Sequence, residues 1–171
     1  MKKRLIVILA AVAMTAAAMA LSIAPSSAAS IYDGKSPYRT FYDSNGKPYR
    51  CADSMTVISA NYLRTKAGTK VGAIQLRKST RCHTYWAYTK LYFTAQGYMT
   101  GHAELQRFYY SSEAGRWDCE DPGGNGDIVA GQSSCHTGMI YANSSAVTFY
   151  AWGYAYDRAS YYADGQTART R

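Results

Sequence analysis

Val147-Thr148-Phe149-Tyr150-Ala151-Trp152-Gly153-Tyr154-Ala155-Tyr156 decides how this chain folds. Its even positions carry Thr148, Tyr150, Trp152, Tyr154 and Tyr156, while the odd ones are mostly small or aliphatic. Side chains of an extended strand point alternately to opposite faces, so the pattern predicts a strand with an aromatic stripe along one side. A helical period fits it less well, and the strong helix formers Leu, Glu and Lys are absent from it.

Outward from that stretch, runs rich in β-branched and aromatic residues recur between turn signals at residues 56–64, 71–77, 85–93, 102–110 and 138–141. These read as antiparallel strands. In 102–110, Ala103, Leu105 and Arg107 alternate with His102, Glu104, Gln106 and Phe108, a pattern that a short helix also satisfies. Short strands at regular spacing predict an all-β fold, a small antiparallel sandwich or partly closed barrel. No internal repeat and no Pro- or Ser-rich linker divides residues 51–171, which read as one β-rich domain.

Ahead of it, residues 30–50 form an extended N-terminal arm punctuated by Tyr32-Asp33-Gly34-Lys35-Ser36-Pro37 and Asp43-Ser44-Asn45-Gly46-Lys47-Pro48. The second cluster suits a small hairpin between Thr40-Phe41-Tyr42 and Tyr49-Arg50, or equally a flexible arm. With Tyr32, Tyr38, Phe41 and Tyr42 at intervals, the arm also suits pairing with the edge of another sheet. Residues 1–29 read as a signal peptide: Lys2, Lys3 and Arg4, an apolar run to Ile23, and Ser26-Ser27-Ala28-Ala29 as a small-residue exit. The mature protein is therefore expected outside the cytoplasm, secreted and without a membrane span, since no later apolar run reaches the roughly 18 residues a span needs.

Cys51, Cys82, Cys119 and Cys135 all follow that leader, and an even count in an exported chain favours disulfides. Four cysteines allow three pairings; Cys51 with Cys82 and Cys119 with Cys135 is favoured, because the second pair flanks a glycine-rich loop with little apolar content to hold it. The close ligand pairs of a zinc site are absent. Removing Lys2, Lys3 and Arg4 from 19 basic side chains leaves 16 against 11 acidic ones, and lowers the net charge from +8 to +5. The excess is uneven: residues 54–103 contain no Asp or Glu but carry Arg64, Lys66, Lys70, Arg77, Lys78, Arg81 and Lys90. Residues 104–135 reverse the sign, with Glu104, Glu113, Asp118, Glu120, Asp121 and Asp127 against Arg107 and Arg116. Such asymmetry steers an anionic partner toward one face, or merely solvates it.

Two local patterns resemble the YjfA-like small secreted proteins of Gram-positive bacteria, a family of unknown function. Leu76-Arg77-Lys78-Ser79-Thr80-Arg81-Cys82-His83-Thr84-Tyr85-Trp86-Ala87 is similar to the family's Leu-Arg-x-Ser-x-x-Cys-x-x-x-Trp-Ala stretch, and Cys51-Ala52-Asp53-Ser54-Met55-Thr56-Val57 to its Cys-x-x-Asp-Ala-x-Thr-Val segment. Tyr32 and Ser36 stand where the family pattern has Cys and Asp. The resemblance implies an exported, disulfide-stapled, β-rich domain and supplies no catalytic residues.

For chemistry, His102 and Glu104 lie two residues apart and project from the same side of a strand, as a general acid and base of a small extracellular hydrolase would, most plausibly a nuclease with Arg81 or Arg107 on a phosphate. The G-x-S-x-G, H-E-x-x-H and phosphate-loop motifs are absent. Asp118, Glu120, Asp121, Asn125 and Asp127 have the composition of a calcium loop without EF-hand spacing, and read first as an acidic turn closed by Cys119. No cofactor is expected.

The aromatic content points to recognition. Seventeen tyrosines with Trp86, Trp117 and Trp152 exceed what a core of this size needs. Tyrosine combines a large contact area with a polar tip at low conformational cost. The leading expectation is a secreted, non-enzymatic protein that binds a macromolecular partner through an aromatic and basic surface: a wall glycan or another exported protein, including a toxin or inhibitor assembly, and not nucleic acid. Its contacts would be Arg77, Lys78, Arg81, Tyr85, Trp86, Tyr150, Trp152 and Tyr154.

Overall fold

The computed structural model describes residues 30–142, 144–158 and 160–170; the expected signal peptide, 1–29, lies outside the described residues. The fold is all-β and antiparallel. Two short strands, β1 (Phe41–Tyr42) and β2 (Pro48–Tyr49), pair with each other, and a 3-10 turn (Cys51–Ser54) leads into the main sheet. That sheet contains β3 (Met55–Thr65), β4 (Lys70–Ser79), β5 (Thr84–Leu91), β6 (Met99–Tyr109), β7 (Ser112–Asp118), β8 (Ser134–His136), β9 (Ile140–Tyr141), β10 (Val147–Asp157) and β11 (Ser160–Gln166). Its order is β7-β6-β10-β11-β3-β4-β5-β8, with β9 also paired to β5. Of the two architectures expected, the sheet adopts the partly closed barrel: it curls into a half-barrel in which β5 packs across the interior on β6 and β10.

Alternation in β10 sets the inside and the outside. Val147, Phe149, Ala151 and Ala155 are buried with Leu63, Ile74, Leu76, Leu91 and Leu105, while Thr148, Tyr150, Trp152, Tyr154 and Tyr156 are partly exposed. Gly153 also faces inward, where a Cβ would meet Thr89 Oγ1 at 2.6 Å and Ile74 Cβ at 3.1 Å, so a side chain there would collide with the opposite wall. Thr89 ties that wall down by donating its hydroxyl hydrogen to the His102 carbonyl at 2.8 Å. Residues 102–109 are strand, paired along β10 throughout.

A second, smaller core lies on the outer face of β5. Cys51, Cys82, Trp86 and Met139 are buried there beneath Tyr32, Phe41, Tyr49 and Met55. The 30–50 segment is thus packed on the body: Gly34 N–H donates to the Met139 carbonyl, Met139 N–H to the Lys35 carbonyl, and the Tyr32 and Tyr49 hydroxyls meet at 2.7 Å. Asp43 closes the hairpin by accepting from the N–H groups of Asn45 and Lys47, the side-chain device that makes Asp a turn former. Disulfides join Cys51 to Cys82 and Cys119 to Cys135. No helix among the described residues is long and apolar enough to cross a membrane.

Candidate functional site

Register builds the site. In β6–β10 pairing, Phe108 lies opposite Thr148, Gln106 opposite Tyr150, Glu104 opposite Trp152 and His102 opposite Tyr154. On the far side of β6, Asp118 faces Glu104 and Arg116 faces Gln106; beyond β10, Gln166 faces Trp152, Asp164 faces Tyr154 and Tyr161 faces Tyr156. Directly opposed residues of an antiparallel pair share a face. One outer face therefore carries the aromatic stripe and a polar strip beside it.

The rings touch in series. Trp152 to Tyr154 is 5.0 Å between centroids, Tyr154 to Tyr156 5.4 Å and Tyr156 to Tyr161 5.4 Å. Phe108 stacks on Tyr150 at 5.5 Å, and Arg169 covers Phe108 at 3.9 Å. Tyr161 is the most open of the row, 53% exposed.

Beside them His102, Glu104 and Gln106 are buried although they belong to the outer face. His102 stacks on Tyr154 at 4.6 Å, bonds Asp127 through Nδ1, and has Nε2 4.0 Å from Asp118 Oδ2. Gln106 donates to Glu104 and accepts from the Tyr150 hydroxyl. Arg116 reaches Glu104 at 3.5 Å and Glu113 at 3.2 Å. Burial, then the carboxylates of Asp127 and Glu104, pushes the Tyr154 phenol up; burial and then Glu104 does the same to Tyr150. Both stay protonated at neutral pH; the Tyr150 hydrogen goes to Gln106, and Tyr154 is the phenol that keeps a hydroxyl donor on the face. The arrangement offers flat apolar rings, a phenol donor at Tyr154 and carboxylate and amide acceptors, with carboxylates outnumbering the cations Arg116 and Arg169.

The structure divides the expected aromatic and basic surface. Tyr150, Trp152 and Tyr154 share the stripe just described. Arg77, Lys78, Arg81, Tyr85 and Trp86 lie on or beside β4 and β5, separated from β10 in the sheet by β11 and β3. Two of these must be corrected as surface contacts. Tyr85 turns inward to stack on Phe149 at 4.4 Å, and Trp86, 0% exposed, is covered by the N-terminal segment. The basic side chains serve neighbours: Arg77 lies 3.5 Å over Tyr88, Lys78 5.2 Å from the Tyr85 ring, and Arg81 3.8 Å over Tyr49 while pairing Asp43 at 3.5 Å.

In the acidic turn, Asp118 accepts from the N–H groups of Glu120 and Asp121, Asp121 accepts from that of Asp118, and Asn125 from that of His136. Among the described residues no group of three or more His, Cys, Asp or Glu is placed to hold a metal ion. Gln106, Arg116, Asp164 and Gln166 join the site only through strand pairing; the polar alternation of 102–108 is the signal in the sequence that leads to the first of them.

Residues 30–151 match the family described as a protein of unknown function, DUF2690. The chain belongs to this family. It is 34% identical over 122 residues, 71% of this chain and 69% of the relative, to the uncharacterized protein YjfA of Bacillus subtilis strain 168. No solved structure matches the chain. The DUF2690 segment holds both disulfides, the polar strip of β6 and the first half of β10, including Tyr150; Trp152, Tyr154, Tyr156 and Tyr161 follow it.

Proposed function

We propose that this protein is an exported, non-enzymatic domain that binds a cell-wall polysaccharide across the outer face of β10, β6 and β11. The observation that carries the reading is the continuous series of rings from Trp152 to Tyr161 beside buried, fixed hydrogen-bonding groups. Sugar rings present apolar C–H faces that stack on the electron-rich faces of aromatics, and their rim hydroxyls need donors and acceptors close by. From Tyr150 to Tyr156 the strand extends about 20 Å, long enough for several sugar units of one polymer. Two disulfides suit an oxidising compartment outside the cytoplasm, where such a polymer lies.

The acidic surroundings favour this reading over a nucleic-acid hydrolase. Glu104, Glu113, Asp118 and Asp127 would repel a phosphate backbone. Both nitrogens of His102 face carboxylates, and both oxygens of Glu104 are engaged, by Gln106 and Arg116. Co-sedimentation with purified wall polysaccharide tests the proposal. The protein should pellet with the polymer, and Trp152→Ala should weaken retention about tenfold or more, the scale of one lost aromatic anchor. Retention by an exported protein from culture fluid, with none by the polymer, would overturn it in favour of a protein partner.

A further inference from the structure

Where the aromatic row ends, a hollow of about 410 Å³ opens between β3 and β11, lined by Arg64, Lys66, Tyr161, Tyr162 and Asp164. Its position follows from register. Arg64 lies opposite Asp164, and Asp164 opposite Tyr154, so Tyr154, Asp164 and Arg64 form one row across three strands. The pairing of β10 with β11 slips by one residue between Ala155 and Tyr156. This bulge packs Tyr162 against the core and leaves Tyr161 exposed beside Tyr156; bulges re-aim side chains in this way.

The chemistry of the hollow differs from that of the β6 side. Arg64 and Lys66 are exposed, and among the described residues neither makes an ion pair; the one hydrogen bond of the Arg64 guanidinium goes to the Gly68 carbonyl at 3.0 Å. Lys70 adds a third cation nearby, held 3.8 Å over the Tyr62 ring. Asp164 is the sole carboxylate in the lining, so cations outnumber it. Burial, then Asp164, whose carboxylate also takes the hydroxyl's hydrogen bond, pushes the Tyr161 phenol up to about 12. A guanidinium fork with an ammonium beside it suits a carboxylate or phosphate group.

We infer that this hollow is an anion subsite continuous with the aromatic row, and that it receives one acidic group of the bound polysaccharide, held at the Tyr161 end and away from the carboxylates beside β6. The inference rests on the glycan-binding reading above. It is tested by calorimetric titration of the 30–171 chain with three oligosaccharides: chitohexaose, which is neutral; chitohexaose oxidised to a carboxylate at C6 of one terminal sugar; and chitohexaose phosphorylated at C6 of one terminal sugar. At least one acidic oligomer should bind about tenfold tighter than chitohexaose, with the advantage shrinking as salt rises. Whichever acidic oligomer binds tighter identifies carboxylate or phosphate as the group read. In the double variant Arg64→Gln, Lys66→Gln, binding of the acidic oligomers should fall to the chitohexaose level while chitohexaose binding is unchanged, an internal control for folding. Equal binding of all three by the unaltered protein, or a preference that survives in the double variant, overturns the anion subsite and leaves the glycan reading standing. If none of the three binds, or Trp152→Ala changes nothing, the glycan reading itself fails and the subsite with it.

Discussion

At the level of single residues, the folded state uses His136 in its neutral form. Burial lowers its pKa and the neighbouring Arg77 charge lowers it further, against the opposing effect of the Thr137 carbonyl 3.0 Å from Nδ1. A depressed imidazole binds fewer protons folded than unfolded, so its contribution to stability is complete above the unfolded value of about 6.5 and is lost as pH falls below it. The melting temperature should therefore drop between pH 7.5 and pH 5, and His136→Gln should flatten that part of the profile; an identical slope in the variant would contradict the assignment. Trp86 gives a second residue-level prediction. Its indole Nε1 is the one buried side-chain nitrogen or oxygen without a partner among the described residues. Trp86→Phe keeps most of the packing and removes the unpaired donor, so it should cost less than about 1.5 kcal/mol. Trp86→Ala opens a cavity and should cost about 3–5 kcal/mol. Chemical denaturation that finds the two variants equally destabilised would refute this.

Among the elements, β10 governs both core and site. Gly153→Val would drive a branched side chain into Thr89 and Ile74 on the opposite wall, costing about 1–3 kcal/mol or more through overpacking. A variant as stable as the parent in urea would mean that the half-barrel is more open than described. The same strand shows what was legible in the sequence. Its period-two pattern of large aromatic against small residues depends only on strand geometry, and so named the stripe and its shared face. His102 and Glu104 were likewise placed on one face by their spacing alone. Strands β7, β8 and β11 escaped notice because Ser112–Asp118 and Ser160–Gln166 are polar and Ser134–His136 is three residues long; their partners, not their composition, make them strands. Trp86 and Tyr85 misled as surface residues because burial of an outer face depends on which distant segment folds over it. Here that segment is residues 30–50.

For the molecule as a whole, the Cys51–Cys82 bridge and the Trp86 cluster bind the N-terminal segment to the sheet, while the opposite stretch of sheet carries the proposed binding face. Cys51→Ser with Cys82→Ser should lower stability by about 2–5 kcal/mol. It should also expose bonds before residue 51 to limited proteolysis that the oxidised protein resists; equal resistance in both would mean that non-covalent packing holds the segment alone. On the proposal above, the outer face of β10, β6 and β11 receives a polysaccharide. Amide shift mapping of the isotopically labelled 30–171 chain during titration with chitohexaose and its acidic counterparts locates the bound sugar residue by residue. Saturable shifts should cluster at Glu104, Gln106, Tyr150, Trp152, Tyr154 and Gln166. Shifts that never appear, or that gather instead around Arg77 and Arg81 on β4 and beyond it, would exclude this face as the polysaccharide site.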